Sequence, residues 1–130
     1  METINHEYYV SLEVAKLLKE TGFDWEVNTC RYNSSPDKIS SNGTLTSNFN
    51  GYAFQHIAVS APTLDVAQRW LREVKDYDVF VVVDDSMEYA ACIFHNKEDE
   101  DDYYECYKTY EKAQEAGIKK ALEIILEKEE

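Results

Sequence analysis

Thr63-Leu64-Asp65-Val66-Ala67-Gln68-Arg69-Trp70-Leu71-Arg72-Glu73-Val74-Lys75-Asp76-Tyr77-Asp78-Val79-Phe80-Val81-Val82-Val83 changes its period midway, and that change sets the fold class. In its first half Leu64, Ala67, Trp70, Leu71 and Val74 recur every three or four positions, the apolar stripe of a helix that should lie on a sheet. Ala61-Pro62-Thr63 just ahead stops an extended segment and caps the helix. From Tyr77 onward the residues are β-branched or aromatic almost throughout, which is a strand. An unbroken run of this kind predicts a central strand, covered on both faces or paired in a dimer.

Working outward, Asp84-Asp85-Ser86-Met87 turns the chain and Glu88 to His95 returns as an antiparallel partner. Asn96 to Asp102 reads as an acidic loop and Tyr103 to Lys108 as a third strand. Thr109 then caps a last helix with Ala113, Ala116, Gly117, Ala121, Leu122, Ile124 and Ile125 facing inward. Its opening, Thr109-Tyr110-Glu111-Lys112-Ala113-Gln114, echoes Thr63-Leu64-Asp65-Val66-Ala67-Gln68, although any well-capped helix would share that pattern.

Toward the N-terminus, Ser11 is an N-cap, Val14, Leu17 and Leu18 hold helical spacing and Gly22 is a stop, so Leu12 to Glu20 is helical. Trp25 to Tyr32 alternates like a half-buried strand, and Asn33 to Asn42 is a polar loop. Asn50-Gly51 predicts a hairpin joining strands at Thr44 to Asn48 and Tyr52 to Val59, since both residues tolerate positive φ. The class expected is α+β. It comprises an antiparallel β-sheet with helices packed on one face, as two repeated strand-strand-helix units preceded by an N-terminal helix.

A chain of 130 residues fits one domain, 1–130, with a real core. Its 13 basic and 26 acidic side chains leave a net charge of −13, which repels nucleic acid and anionic membranes and favours a partner with a basic surface. No apolar run approaches the roughly 18 residues of a membrane span, and Met1 to Glu7 lacks a basic-then-apolar leader, so a cytoplasmic protein is expected. Three widely spaced cysteines, Cys30, Cys92 and Cys106, read as reduced thiols.

Candidate chemistry is sparse. Cys92-Ile93-Phe94-His95 offers two metal-ligand types, but positions three apart on a regular strand face opposite sides. A nucleophilic pairing of Cys30 or Cys106 with His56 or His95 lacks any local signature. The acids Glu98, Asp99, Glu100, Asp101 and Asp102 lack the central glycine of a calcium loop. Neither catalytic residues, nor a metal, nor a cofactor is assigned. As a recognition surface, Tyr103, Tyr104, Tyr107 and Tyr110 interleave with Asp101, Asp102 and Glu105, stiff aromatic area among acid that suits a basic protein. An anionic, nucleotide-like ligand would instead need a cleft with Arg31, Arg69, Arg72 or helix N-termini pointed inward.

Tyr9-Val10-Ser11-Leu12-Glu13-Val14-Ala15-Lys16-Leu17-Leu18 is similar to the first helix of excisionase-like helix-turn-helix domains, but a strand at Trp25 replaces the reading helix. A broader set comprises Glu7 to Glu20, Gly22-Phe23-Asp24-Trp25, Ala61-Pro62-Thr63-Leu64, Trp70-Leu71-Arg72-Glu73 and Thr109 to Ala113. This set resembles a family of small uncharacterised proteins of Bacteroides-type bacteria and their phages. The resemblance implies a phage or mobile-element context, with no catalytic motif to transfer. It implies a non-enzymatic acidic binding protein that engages a host protein, in counter-defence, in an infected or carrier bacterial cell. The alternatives are sequestration of a small nucleotide-like signalling ligand and, behind it, a small hydrolase or metal-binding protein. A homo-oligomer is compatible with each.

Overall fold

The computed structural model describes residues 5–96 and 98–129, with side chains given outside 98–104. The class is α+β, with three α-helices and two three-stranded antiparallel sheets against which they pack. The chain falls into two compact units, Met1–Thr63 and Leu64–Glu130.

In the first unit, helix α1 (Leu12–Thr21) starts where the Ser11 hydroxyl accepts from the Val14 N–H at 3.2 Å. It ends at Gly22, whose φ of 99° only glycine adopts cheaply, with the Phe23 N–H returning to the Leu18 carbonyl at 2.9 Å. Val14, Ala15 and Leu18 are its buried face. Strand β1 (Thr29–Tyr32) is central, between β2 (Ser40–Ser41) and β3 (Ala58–Ser60). The predicted Trp25 to Tyr32 strand is therefore shorter, with only an isolated bridge from Val27 to Ser47 ahead of it. The Asn33 to Asn42 loop includes β2.

The Asn50-Gly51 hairpin does not form, and Tyr52–Phe54 is a 3-10 turn instead. Gly51 has a φ of −71°, outside the primed-turn region. The Asn50 side chain explains the difference. Its amide donates to the Phe23 carbonyl at 3.0 Å while its oxygen accepts from the Ser60 N–H at 3.0 Å, so the loop is anchored laterally instead of folding back on itself.

The second unit comprises helix α2 (Leu64–Lys75), strands β4 (Tyr77–Val83), β5 (Tyr89–His95) and β6 (Glu98–Tyr107), and helix α3 (Tyr110–Lys128). The sheet order is β4-β5-β6. α2 and α3 pack together and both meet β4, while α3 also crosses β5 and β6. Gly117 permits the crossing, because a Cβ there would lie 2.6 Å from Val79 Cγ1 and 2.7 Å from the Ala91 Cβ. Leu64, Ala67, Trp70 and Leu71 of α2 are buried, but Val74 is exposed and leaves the predicted stripe early. The unit boundary falls at Thr63, so the strands ahead of the two echoed helix starts belong to different sheets.

Two further expectations change here. β4 is an outer strand and β5 takes the centre. The apolar run is buried only at its beginning, Tyr77 to Val79, where the helices lie. The acidic segment predicted as a loop is part of β6, with Asp99, Asp101 and Asp102 in register with Phe94, Ile93 and Cys92 and two register shifts along the ladder. Pairing to an already formed β5 outweighs the poor strand propensity of acidic residues.

Candidate functional site

The hydrogen-bond phase of the β4–β5 ladder determines what β4 offers outward. The Asn96 N–H donates to the Asp76 carbonyl at 3.0 Å and the Asp84 N–H to the Glu88 carbonyl at 2.8 Å, and both pairs continue the register Val79↔Ile93. Even-numbered residues of β4 thus turn their backbone groups to β5. Tyr77, Val79, Val81 and Val83 turn theirs to the outer edge.

Along the first half of that edge, α2 supplies a substitute partner. The Gln68 side-chain amide donates to the Val79 carbonyl. Gln68 is held in turn by Gln114 of α3, which donates to its oxygen at 2.8 Å and to the Asp65 carboxylate at 2.8 Å. Along the second half, no hydrogen bond to an outward group of Val81 or Val83 is present among the described residues. The side chains match, since Phe80 is 50 % exposed, Val82 45 % and Val83 54 %. Phe80 meets Phe94 edge to face at 5.6 Å, so the apolar surface continues onto β5.

Beyond Val83 the turn is built on one carboxylate. Asp84 Oδ1 accepts from the Ser86 N–H at 3.0 Å, the Ser86 hydroxyl at 2.8 Å and the Glu88 N–H at 2.9 Å. Asp84 Oδ2 accepts from the Cys106 thiol of β6 at 2.8 Å. The Cys106 bond, then the Ser86 and Glu88 bonds, favour the charged form and lower the Asp84 carboxyl from 3.8 to about 2. Reciprocally, donation to Asp84 and partial desolvation push the Cys106 thiol up from 9.0 to about 11. A fixed negative charge therefore stands at the end of the exposed apolar strand, beside Asp85 and Glu88.

The tyrosine–acid surface read from the sequence lies at the opposite edge. Tyr107 is half-buried in register with Tyr89, Glu105 is exposed, and the exposed Tyr110 packs edge to face on Tyr89 at 6.1 Å. Asp101, Asp102, Tyr103 and Tyr104 lie on the β6 backbone, and their side chains fall outside the described residues.

The three arginines of the anionic-ligand reading are engaged differently. Arg31, 7 % exposed in β1, donates to the Pro36 carbonyl at 2.9 Å and the Val10 carbonyl at 3.1 Å. Arg69 pairs with Glu73 at 2.7 Å on the exposed face of α2, where Arg72 is exposed as well. His95 stacks on Tyr77 at 4.1 Å and Cys92 is half-buried opposite Phe80. Burial raises the Cys30 thiol, which is in β1. Among the described residues no three His, Cys, Asp or Glu side chains are grouped to hold a metal, and no helix is long and apolar enough to cross a membrane.

The sequence signal for this edge was present in the run Val79 to Val83. What it lacked was topology, because the same run fits a buried centre or an exposed margin. Comparison with known proteins finds no family model, curated protein or solved structure that matches the chain.

Proposed function

We propose that this chain is a non-enzymatic acidic binding protein of phage or mobile-element type that engages a host protein with a basic surface, in counter-defence. The supporting observation is the exposed apolar stretch Phe80 to Val83 ending at the carboxylates of Asp84, Asp85 and Glu88, on a chain of net charge −13. Apolar area supplies binding free energy, while a like-signed field speeds encounter with an oppositely charged partner and disfavours nucleic acid. Tyr107 and Glu105 of β6, with Tyr110 at the start of α3, add a second contact region of the same sign.

Affinity capture from a bacterial host lysate on the immobilised chain tests this reading. Specific host proteins should be retained at about 0.1 M salt and released as salt is raised past several Debye screening steps, near 1 M. Retained proteins should have basic surface patches. Recovery of nothing above a neutral control protein, or retention indifferent to salt, would contradict it.

A further inference from the structure

The outer edge of β4 has three properties in one place. Its second half presents the backbone groups of Val81 and Val83 without a partner among the described residues. The flanking side chains Phe80, Val82 and Val83 are about half exposed, so an arriving strand would find apolar cross-strand neighbours. The strand runs directly into the acidic turn Asp84-Asp85 with Glu88 behind it. Natural sheets blunt an edge of this kind with charge, proline or a covering element, and the run Val79 to Val83 has neither charge nor proline. The first half of the same edge is covered, through Gln68 on the Val79 carbonyl. The open segment is thus bounded at one end by a side-chain plug and at the other by negative charge.

We infer that Val81–Val83 is a strand-addition site, at which an extended segment of the partner, with alternating apolar residues flanked by Lys or Arg, pairs as a fourth strand on β4. This inference rests on the proposed reading as a binder of basic proteins and specifies how the partner is held. Backbone pairing gives affinity with little demand on sequence, and apolar side chains at alternate positions meet Phe80 and Val82. The flanking cations meet the exposed Asp85 within the negative field of the turn, since both Asp84 oxygens are already engaged by Ser86, Glu88 and Cys106. A second copy of this chain fits the edge less well. Two copies paired antiparallel across Val81–Val83 would run each acidic turn toward the Asp76–Asp78 end of the other, like charge against like, on bodies that each hold −13.

The test uses the full chain and a labelled short peptide of alternating valine and threonine between paired lysines, read by fluorescence anisotropy at low salt. Saturable binding is expected. N-methylation of the backbone N–H groups on one edge of the peptide should weaken it by about tenfold or more, while methylation of the other edge leaves it unchanged. Val81→Pro removes an outward N–H without touching the β5 ladder and should abolish binding, and Phe80→Lys, at an exposed position, gives the same direction by charge. Equal binding of both methylated peptides would overturn strand addition, as would no binding up to about 1 mM. A concentration-dependent dimer in sedimentation, lost in Val81→Pro, would overturn it in favour of self-pairing. Lysate capture separates the two levels. If host proteins are retained equally by Val81→Pro and Phe80→Lys, strand addition fails while the binding reading stands, and if the unaltered chain retains nothing, the binding reading itself fails.

Discussion

β4 and β6 are both outer strands of one three-stranded sheet, and they meet the hazard of an exposed edge in opposite ways. β6 is acidic in sequence from Glu98 to Asp102, and its Glu105 is exposed. β4 has no charged residue from Val79 to Val83. It is covered at one end by α2 and Gln68, and at the other its outward backbone groups have no partner among the described residues. A strand margin without charge is one where pairing with another strand is cheap. The contrast is what supports the proposal that a partner pairs on β4 and not on β6.

The largest expected effect comes from removing what covers the first half of β4. Trp70 is 1 % exposed on α2, and Trp70→Ala should cost about 3–5 kcal/mol in denaturant unfolding. A near-neutral result would mean that α2 is not fixed on the sheet, and the distinction between the two halves of β4 would disappear. Next, Gly117→Ala forces a methyl group against Val79 and Ala91 and should destabilise by about 1–3 kcal/mol, despite alanine's better helix propensity. An increase in stability would show that α3 has room to move off the sheet. Gln114→Ala removes the donor that orients Gln68 and should cost about 1–2 kcal/mol while accelerating amide exchange along β4.

How much of this was legible in the sequence depends on which interactions decide each element. Helices α1 and α3 were readable because Ser11 and Thr109 cap them through hydrogen bonds local to the chain. β4 and β5 were readable from their composition. The Asn50-Gly51 turn was not, since the Asn50 amide is used on Phe23 and Ser60, residues remote in sequence. β6 was obscured for the same reason: its acids are unfavourable strand formers that follow their neighbour β5. For the site, the exposed run was visible as residues but its position at an edge was not, because edge or centre is decided by topology. Arg31 was read as a ligand candidate by its charge, whereas its guanidinium is turned to two backbone carbonyls.

Smaller effects sharpen the comparison at the turn that ends β4. Because Asp84 titrates at about 2, below its ordinary 3.8, its stabilisation is complete above pH 4 and is lost as pH falls through 2. The Cys106 thiol, raised to about 11 from 9.0, contributes fully below pH 9, and that contribution is lost as pH rises through 11. Exposed as it is, Cys106 should therefore alkylate about tenfold more slowly at pH 8 than an ordinary surface thiol, the loss of thiolate being partly offset by its greater nucleophilicity, by site-resolved mass spectrometry. Asp84→Asn should recover most of that difference. Ordinary reactivity in the unaltered chain would mean that the Asp84–Cys106 contact is not maintained in solution.

Strand addition requires that the Val81–Val83 half of the β4 edge be open in the free chain and closed by a partner strand. Amide hydrogen exchange resolved by residue addresses this most directly. In the free chain the N–H groups of Phe80 and Val82, which face β5, should be protected while those of Val81 and Val83 exchange rapidly, and capture of a host protein should slow the latter pair to match the former. Protection of Val81 and Val83 before any partner is added, or rapid exchange that persists after capture, would contradict the account.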